Sequence, residues 1–196
     1  MSSTGWCCFS GKPPDGPYPE NGDWSPSQKQ NEVIVVDVTA YHLREAVAQD
    51  AELIAGWLED PRDCRLTIGH APLRDGEFHE WLMAEDQGCW ILDGPEGPLG
   101  YGEVWIDADA RDLELAHLMI RPEHRNRGWG RLLTQLLFDR GRPYGFPTVF
   151  MRIYPENASA LRCYESAGFA PVSAMTSDIG LEWVWLSKSY DSEHSV

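Results

Sequence analysis

The chain has 196 residues, 42% of them hydrophobic, which suits one globular domain with a substantial core. No apolar run approaches the roughly 20 residues needed to cross a bilayer, and a net charge of −15 argues against a broad basic surface for nucleic acid. Five scattered cysteines without Cys-x-x-Cys make both a disulfide framework and a zinc ribbon unexpected.

Residues 1–31 are rich in Gly, Pro, Ser and Asn and lack periodic apolar positions, so they are expected to form a poorly ordered tail. Trp6, Phe9, Tyr18 and Trp24 are the residues in it able to dock. The N-terminus lacks the basic, apolar and small-residue segments of a secretory signal, which makes the cytoplasm the expected compartment. A single folded domain is expected over 32–190, with 191–196 as a C-terminal tail.

Within that domain, Val33–Val38 and Tyr41–Ala46 have strand character. A helix is expected from Gln49 to Glu59, with Leu53, Ile54, Trp57 and Leu58 as its stripe and Pro61 helping to stop it. Glu77–Glu85 fits a second short helix. Cys89–Leu92 and Leu99–Ile106 are strands joined by the loop Asp93–Pro98, and Leu113–Ile120 is the next strand. A helix then runs to about Arg140, burying Leu132, Leu133, Leu136 and Leu137. Thr148–Tyr154 is a strand, Asn157–Ala167 a helix closed by Gly168, and Leu181–Ser187 a last strand. The order is mixed α/β.

The stretch from Leu118 through Arg131 is the informative one. Six arginines lie between residues 121 and 142 against Glu123 and Asp139, a local balance of +4, so the remainder carries −19. A strand enters a loop and then a helix whose first turn holds two glycines. Helix N-termini present unpaired N–H groups and partial positive charge, which suits phosphate. Gly128 and Gly130 leave room for close approach, and Arg125, Arg127 and Arg131 add guanidinium charge. The nucleotide-hydrolysing P-loop and the dinucleotide fingerprint are both absent.

Ile120-x-Pro122-x-x-Arg125-x-x-Gly128-x-Gly130 resembles the acetyl-CoA signature of the GNAT superfamily of N-acetyltransferases. Asn157-Ala158-x-Ala160-x-x-x-Tyr164-Glu165-x-x-Gly168-Phe169 resembles a second segment of that family, in the right order. The resemblance covers residues 40–187 and implies a splayed mixed sheet flanked by helices. In that fold the Leu113 and Thr148 strands part around pantetheine. By the same resemblance Leu118, Met119 and Ile120 pair with the pantetheine arm, and Asn126, Arg127, Gly128, Trp129, Gly130 and Arg131 hold the pyrophosphate. Asn157 hydrogen-bonds the cofactor near its thiol, and Arg125 supports the loop more than it touches the ligand. The implied co-substrate is acetyl-CoA, and no metal is expected.

Acetyl transfer to an amine requires an amine that has lost its proton, a stabilised oxyanion and a protonated leaving thiolate. Asn157, Ala160, Leu161 and Tyr164 share a helical face, so Tyr164 is the candidate acid. Cys163 points away from that face and is expected to be a small core residue. Glu114, eight residues before Pro122 where many family members place a proton acceptor, is the candidate base, directly or through water, and burial would raise its pKa usefully; an edge or solvent-facing glutamate is the alternative. His117 lies on the opposite face by simple alternation, a parity that a bulge would change. Arg152 replaces the glutamate some family members carry on the next strand. Glu59, Asp60 and Asp63 are either a solvated helix end or an acceptor mouth. Trp57, Trp81, Trp90 and Trp105 are expected to be core, with one or two able to line a pocket.

The expected function is acetyl transfer from acetyl-CoA to a primary amine, resembling the aminoglycoside 6'-acetyltransferase-like and ribosomal-protein acetyltransferase-like branches. A cationic small molecule such as an aminoglycoside or polyamine is the favoured acceptor. A protein N-terminal or lysine acetyltransferase and a non-catalytic acetyl-CoA-binding sensor are the alternatives. Neither nucleic acid nor membrane is an expected partner, and a homodimer is left open.

Overall fold

The computed structural model describes residues 40–172 and 183–190. The expected tails and the expected strand Val33–Val38 lie outside the described residues. Seven strands form one sheet: β1 (His42–Glu45), β2 (Gln87–Gly94), β3 (Gly97–Asp107), β4 (Asp112–Ile120), β5 (Thr148–Ile153), β6 (Ala170–Pro171) and β7 (Val184–Ser189). Five α-helices join them: α1 (Ala51–Trp57), α2 (Pro61–Ile68), α3 (Glu77–Met83), α4 (Trp129–Gly141) and α5 (Ala158–Ser166). The sheet order is β1-β2-β3-β4-β5-β7-β6, antiparallel except between β4 and β5. This is the mixed α/β single domain expected from the sequence.

The expected splay is present. β4 and β5 pair at only two positions, Leu113 with Val149 and Glu114 with Phe150. Their remaining lengths leave a gap in the middle of the sheet.

Each sheet face has its own core. On one, α4 packs Leu133, Leu137 and Phe138 against Val104, Leu113, Leu115, Val149 and Met151. On the other, Ile54 and Trp57 of α1, Cys64 of α2 and Phe78 of α3 pack against Ile91, Tyr101 and Met119. Leu132 and Leu136, expected on the buried stripe of α4, are only half-buried. The fully buried partners one residue on are Leu133 and Leu137, with Thr134 and Phe138 beside them. The two-sided burial explains why β3 and β4 are apolar without clean alternation.

Three sequence expectations change. The helix expected through Glu59 stops at Trp57, and Pro61 opens a new helix instead of ending the old one. The Asp60 carboxylate accepts N–H bonds from Arg62 and Asp63, each at 2.9 Å, and proline at the first helical position lacks only a donor that would be unpaired anyway. The loop expected over Asp93–Pro98 is a tighter hairpin, with Gly94 already paired to Gly97. A short strand, β6, follows α5 and pairs with β7.

Candidate active site

A cleft of about 540 Å³ opens where the sheet splays. Its walls are the end of β4 (Leu118, Met119, Ile120), the following loop (Arg125, Asn126, Gly128), the start of α4 (Gly130, Arg131), α2 (Asp63, Leu66, Thr67) and α5 (Asn157, Ala160, Cys163, Tyr164). Of the expected cofactor residues, Arg127 and Trp129 do not line it. Arg127 is exposed, and Trp129 packs on Tyr41 with the rings tilted and their centroids 4.5 Å apart.

The loop owes its shape to two left-handed residues, Asn126 (φ 59°) and Gly128 (φ 88°). Asparagine and glycine tolerate that region better than other residues. Gly128 caps α4, and the helix's first N–H groups, unpaired within it, begin at the cleft. A Cβ at Gly128 would meet nothing within 4 Å, so its glycine is required by φ and not by protein crowding. Gly130 differs. A Cβ there would come within 2.8 Å of Cys163 Sγ, so this glycine lets α5 pack against the start of α4.

Arg125 is a strut. Its Nε donates to the carbonyl of Ile120 at 3.0 Å, and Nη1 pairs with the Asp63 carboxylate. It therefore ties the end of β4 to α2, while Arg131 and Arg162 also face the cleft. Asp60 is thus an exposed helix cap, as a solvated helix end would have it, and Asp63 an ion-pair partner on the wall of the cleft. The unpaired N–H groups, the open backbone at Gly128 and the two further guanidinium groups fit a phosphate-bearing ligand such as coenzyme A.

Asn157 caps α5 by accepting from the Ala160 N–H at 3.2 Å. One and two turns on, Ala160 and Tyr164 share its wall of the cleft, as their spacing implies. Gly168 (φ 92°) closes α5, its N–H reaching the Glu165 carbonyl and that of Phe169 the Tyr164 carbonyl. Burial pushes the Tyr164 hydroxyl above the ordinary phenol range, so it stays protonated at neutral pH. Cys163, expected to point away, also lines the cleft. It sits three residues after Ala160, on the flank that packs against Gly130 of α4. Burial raises its thiol pKa, which keeps it a weak nucleophile.

Glu114 is buried beneath the splay, 3% exposed, and does not line the cleft. Its Oε1 lies 2.7 Å from Nε of Arg152, whereas Oε2 has no hydrogen-bond partner among the described residues. Burial pushes the carboxyl up to about 7, with Arg152 pulling in the opposite direction. The Arg152 guanidinium is itself surrounded by the rings of Trp105, Trp183 and Trp185 at 5.5–5.8 Å. An arginine that cannot act as a base thus partners the carboxylate that can.

His117 is where sequence alternation fails. Tyr101 opposes Met119 but Glu103 opposes Ala116, so His117 and Leu118 together face the single residue Gly102. This β-bulge puts His117 at φ 50° and turns its ring to the face of Glu103 and Trp105. Trp57 is core; Trp81 and Trp105 are partly buried and flank this imidazole. Among the described residues, no group of three or more His, Cys, Asp or Glu is placed to hold a metal ion.

The model of the acetyltransferase (GNAT) family matches residues 52–169. A mycothiol acetyltransferase from Beutenbergia cavernae is 31% identical over 115 residues, which is 58% of this chain and 37% of that protein. A streptothricin acetyltransferase from Streptomyces lavendulae is 29% identical over 141 residues, 70% of this chain and 68% of that protein. Among solved structures, the spermidine N-acetyltransferase from Vibrio cholerae in complex with CoA and spermine superposes with a TM-score of 0.67 at 15% identity. That likeness covers 78% of this chain and 97% of the other, and is a likeness of fold.

Proposed function

Because the chain belongs to the acetyltransferase (GNAT) family, we propose that it moves an acetyl group from acetyl-coenzyme A to a primary amine by direct transfer, with both substrates bound together. The observation that carries this reading is the cleft at the splayed strands, which joins an anion-ready helix start to a buried tyrosine hydroxyl. Acetyl-CoA would supply the activated acetyl group. Every other task falls to the chain.

The first turn of α4, with Arg131 beside it, holds the pyrophosphate. Arg125 keeps that loop in place through Asp63 and Ile120 and contributes little direct charge. The exposed edge of β4 at Leu118–Ile120 and the side-chain amide of Asn157 hold the pantetheine arm. Tyr164, protonated at neutral pH, donates its proton to the departing sulfur. Glu114, which does not line the cleft, accepts a proton from nitrogen through a bridging water. With a carboxyl near 7, it is ionised in a useful fraction at neutral pH yet basic enough to accept. Cys163 carries no acetyl group, since its raised thiol pKa disfavours attack.

The acceptor is a cationic amine. The net charge of −15 supports this, as does the likeness to proteins named for streptothricin and spermidine. The test is coenzyme A release from the purified protein, measured against alkylpolyamines, aminoglycosides, neutral amines and peptides with free N-termini. Release that requires a cationic amine supports the reading. Coenzyme A binding without release against any amine would make the protein a sensor, and release with peptides alone would make it a peptide N-terminal acetyltransferase.

A further inference from the structure

We propose that His117, held by Glu103, is a second proton acceptor of this site, taking the first proton from the incoming ammonium and passing it to water. The proposal rests on the acetyl-transfer reading above.

The chemistry needs two acceptors. A primary ammonium carries three protons on nitrogen and the amide product carries one, so two must leave. As the C–N bond forms and the C–S bond breaks, one proton is balanced by the one that Tyr164 gives to sulfur. The other leaves the site. Glu114 is poorly placed for that exit, being almost closed off and paired to Arg152. His117 is not among the residues lining the cleft either, but it keeps 15% of its side-chain surface open, which lets water link its ring to the amine and to solvent.

The geometry around His117 is that of a positioned base. Glu103 is fully buried on β3 and accepts from the Tyr101 hydroxyl at 2.6 Å, Trp105 Nε1–H at 2.5 Å and His117 Nδ1 at 3.0 Å. As an ionised carboxylate Glu103 has only acceptors to offer, so in the proposed state the ring donates from Nδ1 and leaves Nε2 as the acceptor nitrogen. No hydrogen bond occupies Nε2 among the described residues. Trp81 and Trp105 fix the ring plane, at centroid distances of 4.8 and 5.2 Å. A left-handed histidine is uncommon, and a bulge is one of the few devices that re-aims a single side chain across a sheet. Here it brings His117 to the face that Glu114 shares with its cross-strand partner Trp105.

In the proposed sequence Nε2 takes one proton from the ammonium and releases it to solvent. The nitrogen gives its second proton to Glu114 through a bridging water while Tyr164 protonates the thiolate. The site resets as Glu114 loses its proton and Tyr164 regains one, for a net release of one proton. The ionisable groups that face the ring are Glu103 on β3 and Glu114 on β4 itself; Tyr101 reaches it through Glu103 and Arg152 through Glu114. Glu103 acts as a positioning residue.

Two measurements test this. First, ¹⁵N NMR of the histidine rings in the full chain without acetyl-CoA should show neutral His117 protonated at Nδ1, and Glu103→Gln should disturb that signal. A ring protonated at Nε2 overturns the proposal and needs no variant. Second, His117→Gln is compared with wild type using the best alkylamine from the panel and the hydrazide analogue of that amine, which arrives unprotonated. The loss in kcat/KM should be roughly 10²-fold for the alkylamine and under about tenfold for the hydrazide, since only the first needs the extra acceptor. Equal losses, or none, overturn the proposal. If wild type acetylates neither amine, the acetyl-transfer reading fails instead.

Discussion

Replacing Gly128 separates backbone shape from side-chain bulk at the proposed pyrophosphate site. Gly128 sits at φ 88°, and a Cβ there would meet no protein atom within 4 Å. The cost of substitution is therefore conformational, on the order of 1–2 kcal/mol for an ordinary L-residue held left-handed and more for a β-branched one. If a Gly128→Val loop keeps its shape, the strain appears in stability, lowering Tm by roughly 2–8 °C for a domain of this size. If the loop relaxes in the free protein and is strained only when bound, the same energy weakens coenzyme A affinity by about 5–30-fold. Gly128→Asn is the control, because asparagine already occupies the left-handed region at Asn126. Calorimetric titration with coenzyme A, paired with thermal melts, should rank glycine and asparagine together and valine below them. A valine protein with unchanged affinity and unchanged Tm would refute the reasoning. An asparagine protein as damaged as the valine one would mean that bulk, not φ, is what matters.

Other consequences follow from the same geometry. Tyr164→Phe should lower the single-turnover rate roughly 10²–10⁴-fold with little change in coenzyme A affinity, and full retention would reduce the tyrosine to packing. Glu114 holds its proton more tightly folded (about 7) than in its ordinary state (4.5). Its contribution to stability is thus complete below about pH 4.5 and is lost as pH rises through about 7. Denaturant midpoints of Glu114→Gln should lack that decline, and an unchanged pH dependence would show that the carboxyl is not perturbed. For a cationic acceptor, KM should rise with salt while a neutral amine's KM stays flat, and salt-independent KM values would remove electrostatic recognition from the account.

The loop and its helix were legible in the sequence because their signals are local. Glycines at 128 and 130, clustered arginines and the i, i+3, i+4, i+7 spacing from Asn157 to Tyr164 each act within a few residues. Even so, the two glycines serve different ends, and only the packing of Cys163 on Gly130 shows it. α2 was missed because proline stops and starts helices alike, and Asp60 decides which. The Glu114–Arg152 pair joins strands 38 positions apart, beyond the reach of local pattern. His117 shows the limit of alternation, since one extra residue in β4 places it on a face that strict alternation denies it. Glu103, buried on a mostly apolar strand, was the available hint. A fully buried carboxylate needs donors, and that need pointed to partners nearby.

Direct transfer to an amine is the central claim, and intact-mass spectrometry of protein and small molecules from one reaction tests it most directly. With acetyl-CoA alone the protein mass should stay unchanged; with a cationic amine added, acetylated amine and free coenzyme A should appear in equal amounts. An acetylated protein that forms without amine and is consumed when amine is added, above all one modified at Cys163, would contradict the account.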